Sequence, residues 1–205
     1  DKLKEGLEAS KSKMGTYEVI ESRSISASVS SELWTSSTIA ITLALIAIFA
    51  YILLRFGHWQ YSIGAIVGLA HDAFFVISIF SLLHGFMPFS LDVNQAFIAA
   101  ILTVIGYSMN DTVIVFDRIR ENVATMGRGN FGETVDLSVS QSFSRTIITS
   151  MTTLFVCTIL AVMGGSSIRD LGLVLAFGII TGTYSSIFIC SPFVAWWAKR
   201  FKRGV

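Results

Sequence analysis

Charge is scarce in this chain. Of 205 residues, 14% are charged and 53% are hydrophobic, whereas a soluble domain carries about 25% charged residues. Mean hydropathy is +0.67. A globular enzyme wrapped in a water-facing surface is therefore excluded, and a polytopic membrane protein is indicated. Cysteine is also sparse. Cys157 and Cys190 each lie in an apolar run, so no disulfide framework and no Cys-based metal spacing exist. The phosphate loop Gly-x-x-x-x-Gly-Lys-Ser/Thr is missing, which excludes P-loop ATP hydrolysis. No nucleophile or metal constellation replaces it. The expectation is no enzyme activity, no cofactor, no metal and no nucleic-acid partner, with energy supplied by a partner or an ion gradient. The chain opens at Asp1 without a signal-like stretch, which suggests a piece of a longer protein.

Long uncharged runs are what the chain does have. Residues 33–54 carry no charge, enough to cross a hydrocarbon layer of about 30 Å at about 1.5 Å per residue. Composition places five spans at 36–54, 61–83, 93–116, 146–163 and 171–197. Residues 55–60, 85–92 and 164–170 read as turns or loops. Residues 117–145 read as a long polar connection, with Gly127, Gly129 and Gly132 marking a turn. Residues 1–35 are polar and too few to bury a core. Within them Lys2–Ala9 reads as a short helix, and Thr16–Ser26 has the Tyr, Val and Ile content of a strand. The expected fold is an all-α polytopic membrane bundle of five transmembrane helices over 36–205. Residues 1–35 would be the C-terminal remnant of a small α/β extracytoplasmic domain.

Basic residues set the expected orientation. Nine of them (Arg55, Arg118, Arg120, Arg128, Arg145, Lys199, Arg200, Lys202 and Arg203) fall on the C-terminal side of the spans. The opposite loops hold Arg169, apart from five more in residues 1–35. The positive-inside rule then puts the C-terminus in the cytoplasm and the N-terminal piece outside it.

Asp111 is the residue that composition does not explain. It lies inside an apolar run, where a carboxylate costs about 2.5–3.5 kcal/mol on insertion scales. Helical spacing puts Thr103, Tyr107, Ile114 and Arg118 on or near its face, with Ser108 and Asn110 flanking it. An acid able to gain and lose a proton is what a proton-coupled machine needs. The bland alternative is an acid permanently ion-paired between helices. Arg145 is the candidate partner, at the head of a polar stripe with Ser142, Thr149 and Thr152 or Thr153. A snorkelling arginine is its bland alternative. His71 and Asp72, mid-span, form a possible second polar site, either a relay station or a clamp between helices. Gly64–Gly68 and Gly178–Gly182 are Gly-x-x-x-Gly pairs, which let helix backbones approach closely in lipid. They serve ordinary packing or a sliding surface.

Four stretches carry a resemblance: VIGYSMNDTVIVFDRIREN over Val104–Asn122, QSFSRTIITSMTTL over Gln141–Leu154, LAHD over Leu69–Asp72, and the run Ile168–Pro192. In their order along the chain they resemble the SecF half of the bacterial protein-export membrane protein family SecDF, in the resistance–nodulation–division (RND) superfamily. The resemblance implies the last five spans of an RND-type half, without its first span and without the SecD-type half. It implies a multi-pass protein of the bacterial cytoplasmic (inner) membrane that uses the proton-motive force to help polypeptides cross the SecYEG channel. Its implied partners are the SecD-type half, SecYEG, the exported polypeptide, membrane lipid and, as an optional addition, YajC. Carried over by motif, Asp111 is the proton-pathway acid and Arg145 its polar partner, with Asn110 and Thr149 in the same pathway. The coupling ion would be H⁺. Two alternatives stand beside this: an RND-type proton-coupled exporter of a small molecule or lipid, and a non-transporting scaffold.

Overall fold

A computed structural model describes residues 27–83, 95–126 and 131–201. The expected short helix and strand in the N-terminal piece lie outside the described residues. The chain divides into two units, 1–36 and 37–205. Of the first, the described residues are the opening turns of a helix. No strand occurs among the described residues.

Among the described residues, five helices are long and apolar enough to cross a membrane. They are α1 (Ala27–Phe56), α2 (Trp59–Leu83), α3 (Gln95–Met126), α4 (Phe131–Met163) and a composite last span. That span comprises α5 (Ser166–Ser185), a π-helical turn (Ser186–Cys190) and α6 (Ser191–Phe201). The helices outrun the uncharged runs. Where composition reads a polar connection over 117–145, α3 continues to Met126 and α4 already begins at Phe131. The polar residues there pair across the two helices instead of forming a loop. Arg118 Nε donates to Gln141 Oε1 at 2.6 Å, and Asn122 Nδ2 donates to Ser138 Oγ at 2.8 Å and to Gln141 Oε1 at 2.9 Å. Charged residues thus extend both helices past the oil, where water and partner side chains satisfy them. We call this the basic end of the bundle.

The α1–α2 turn is set by Gly57, whose φ of 72° lies in the left-handed region where a side chain would be strained. Its N–H donates to the Leu53 carbonyl at 2.8 Å and closes α1. Beside it Arg55 pairs with Asp117 at 2.9 Å, and Arg120 donates to the Arg55 carbonyl. Otherwise α1 is peripheral: Ile52 and Phe56 are its buried apolar residues, while Leu43, Ile46 and Leu54 are exposed. Such residues suit contact with lipid tails.

At the centre, α5 packs against α2, α3 and α4. Two apolar clusters flank a polar level. One joins Phe56, Tyr61, Phe116, Ile119 and Val194 near the basic end. The other joins Leu69, Val76, Phe80, Ile101 and Val174. Along α3 they meet between Ile105 and Met109, where Ser108 sits, one turn from Asp111. The four glycines of the Gly-x-x-x-Gly pairs each face another helix. A Cβ on Gly178 would fall 2.1 Å from Val104 Cγ2, and one on Gly182 would fall 2.8 Å from Ser108 Cβ. Gly64 meets Val194, and Gly68 meets the Cys190 sulfur. So α5 lies directly on α3, and α2 directly on the π-turn and α6.

Candidate functional site

Two acids lie at the polar level. Asp72 is 0% exposed and Asp111 1%. Their surroundings differ sharply.

Asp72 is held from three helices. Its Oδ2 accepts the hydroxyl of Ser108 on α3 at 2.5 Å and that of Ser185 on α5 at 2.9 Å. Its Oδ1 lies 3.3 Å from Nδ1 of the half-buried His71. Both carboxyl oxygens are therefore engaged. The glycines explain how the serines reach it: Gly182 lets α5 close on Ser108, and Gly68 lets α2 close on the π-turn. The two serines make this carboxyl a hydrogen-bonded junction of α2, α3 and α5. His71 stacks on Phe75 and faces Tyr184.

Asp111 is held loosely. Its Oδ2 lies 3.4 Å from Ser150 Oγ on α4, a long contact. Its Oδ1 is buried with no hydrogen-bond partner among the described residues. Ser150 is 2.6 Å from Thr183 Oγ1 on α5, and Thr183 also reaches the Ile179 carbonyl. One turn away, Tyr107 OH donates to the Thr149 carbonyl and to Thr153 Oγ1, both at 3.1 Å, which fastens α3 to α4. On the other side Thr112 Oγ1 reaches Cys190 Sγ at 3.8 Å.

Arg145 does not bond Asp111. No ion pair joins them among the described residues. It is exposed and lines a cleft of about 460 Å³ with Arg118, Glu121, Gln141 and Ser142. Asn110 is exposed and makes no bond to Asp111. Thr149 turns its hydroxyl back to the carbonyls of Arg145 and Thr146. The stripe Ser142–Arg145–Thr149–Thr152 is thus only partly the one that faces Asp111. The buried hydroxyl face of α4 runs Ser138, Ser142, Thr146, Ser150. Its four-residue spacing is visible in the sequence, but which of two overlapping stripes turns inward is decided by packing. No group of three or more His, Cys, Asp or Glu that could hold a metal occurs among the described residues.

The family described as protein export membrane protein SecD/SecF, C-terminal, matches residues 6–200. The chain belongs to that family. The protein translocase subunit SecF of Rhodothermus marinus is 48% identical over 86% of this chain and 57% of its own. SecF of Sebaldella termitidis is 41% identical over 96% of this chain and 62% of its own. SecF of Vibrio alginolyticus is 43% identical over 87% of this chain and 56% of its own. The chain thus spans about three-fifths of these SecF relatives. The crystal structure of SecDF from Thermus thermophilus, described as a translocon-associated membrane protein, superposes with a TM-score of 0.84 at 36% identity. It covers 98% of this chain and 27% of that one. SecDF in a super-membrane-facing form gives a TM-score of 0.80 at 34% identity with the same coverage. The five-helix membrane architecture is therefore that of the SecD/SecF family.

Proposed function

We propose that this chain is part of a SecF-type subunit that uses the proton-motive force to assist polypeptide export through SecYEG, alongside a SecD-type half. The setting would be the bacterial inner membrane, with the basic end in the cytoplasm. Asp111 would bind and release the coupling proton.

One observation carries the reading. Asp111 is buried, unpaired with any base among the described residues, and has one carboxyl oxygen without a partner. A structural acid is normally satisfied on both oxygens, as Asp72 is. An oxygen without a partner is open to receive a proton with no existing bond disturbed. The hydroxyl pair Ser150–Thr183 serves both charge states: rotated one way it donates to a carboxylate, rotated the other it accepts from a neutral carboxyl. Because Ser150 is on α4 and Thr183 on α5, the state of the acid is felt by three helices.

The test is export into sealed vesicles with an imposed proton gradient. Asp111→Asn is expected to abolish gradient-dependent stimulation while assembly persists. Unchanged stimulation would remove Asp111 from the mechanism. Arg145→Lys is expected to impair stimulation, because an ammonium does not reproduce a planar guanidinium.

A further inference from the structure

The buried hydroxyls of α4 lead from Asp111 to the cleft. Ser150, Thr146 and Ser142 follow one another at four-residue steps, all turned inward. Ser150 contacts Asp111, and Ser142 lines the cleft at the basic end. Thr146 stands between them, fully buried, and its hydroxyl has no hydrogen-bond partner among the described residues. That is unusual within this helix. Thr149, Thr152, Thr153 and Thr158 all turn their hydroxyls back onto a carbonyl of the preceding turn. Thr146 leaves that bond unmade. Asp111 Oδ1, one turn of α4 further along, is likewise buried without a partner among the described residues.

The Cβ atoms of residues four apart on a helix lie about 5–6 Å from each other, none of these hydroxyls bonds the next among the described residues, and one water with two links of about 2.8 Å spans such a separation. A hydroxyl both donates and accepts, so it passes a proton on without holding charge. We infer that Ser142, Thr146 and Ser150, joined by single bridging waters, form a proton wire between Asp111 and the cleft at the basic end. The cleft is charged on both sides, by Arg118 and Arg145 and by Asp117 and Glu121. It therefore provides a hydrated mouth where protons exchange with water. The inference rests on the proton-coupled reading of Asp111 and adds the route by which the proton reaches one side of the membrane.

The experiment uses the full-length protein in sealed vesicles, with proton flux read by an entrapped pH dye. Thr146→Val keeps the shape and removes the hydroxyl. It is expected to slow flux by about tenfold or more. Thr146→Ser restores the hydroxyl and is expected to keep flux within about twofold of the parent. Asp111→Asn is expected to abolish it. Parental flux in Thr146→Val with Asp111→Asn silent overturns the wire and leaves the acid's role standing. Parental flux in Asp111→Asn overturns the proton reading itself. Loss in both Thr146→Val and Thr146→Ser marks a packing role and overturns the wire. If Thr146→Val does not assemble, Ser142→Ala decides, because it removes another hydroxyl of the same wire: flux is expected to fall about tenfold, and parental flux overturns the wire.

Discussion

Replacing Gly178 by alanine tests the central packing of the bundle. The new methyl would sit 2.1 Å from Val104 Cγ2, 2.6 Å from Cγ1 and 2.9 Å from Cβ. Val104 is β-branched and stiff, and it is buried, so it cannot swing aside. Helices α3 and α5 must part by about 1.3 Å to restore ordinary van der Waals contact. Ser108 is one turn from Val104 and Ser185 lies on α5, so Asp72 can follow one serine but not both. Overpacking of this kind costs about 1–3 kcal/mol, and losing one hydrogen bond about 1 kcal/mol more. The sum, roughly 2–4 kcal/mol, corresponds to a fall in Tm of the order of 5–15 °C for a chain of this length. Thermal unfolding in detergent would read it. Val104→Ala in the same chain removes both Cγ atoms and should recover more than half of the loss, a coupling of about 1 kcal/mol or more. Gly106→Ala on α3 is the control, because nothing lies within 4 Å of its added carbon; it should not destabilise the chain, and helix propensity should add about 0.5–1 kcal/mol. A Gly178→Ala chain as stable as its parent, or losses that simply add with Val104→Ala, would refute the contact.

Other outcomes follow from single contacts. Tyr107→Phe removes the hydroxyl that ties α3 to Thr149 and Thr153, and thermal unfolding should show a loss of about 0.5–1.5 kcal/mol. Ser108→Ala with Ser185→Ala deprives Asp72 of both hydroxyl donors. It should destabilise the chain by more than either change alone, and a further Asp72→Leu should recover part of the loss, because the unsatisfied buried carboxyl is then gone. Arg55→Ala removes an exposed pair with Asp117, and its cost should be below about 1 kcal/mol and vanish in high salt.

Some of this was open to reading before any coordinates. The span count follows from uncharged runs, because a membrane excludes charge over a fixed thickness. Asp111 announced itself by being charged where charge is costly. What stayed hidden depended on which face of a helix turns inward. Ser142 belongs both to the stripe through Arg145 and Thr149 and to the one through Thr146 and Ser150. Spacing alone does not rank the two, and only contact with α3 and α5 does. The helix ends were hidden for a different reason. A reading that stops at the first charge ends α3 near Phe116, yet Arg118 and Asn122 continue it by pairing with Gln141 and Ser138. The π-turn had a signal that span counting does not read: Pro192 has no N–H for the Phe188 carbonyl, and its ring clashes with that carbonyl in an unbroken α-helix. Ser-Ile-Phe-Ile-Cys holds no glycine or proline, and its widened turn is held by Ser191, whose hydroxyl donates to the Ser186 carbonyl at 2.8 Å.

That turn has a consequence for the rest of the last helix. A π-turn accommodates one more residue than an α-turn, so everything after it is rotated by about 100° relative to an unbroken helix. The rotation sets the azimuth at which Val194 meets Gly64 and at which Trp197 meets Trp59. Were the turn to tighten into α geometry, α6 would revolve like a key and both contacts would lose their seat together. The tail of this helix and the head of α2 are thus indexed to each other by a single inserted residue, one turn before Val194 and in contact with α2 itself.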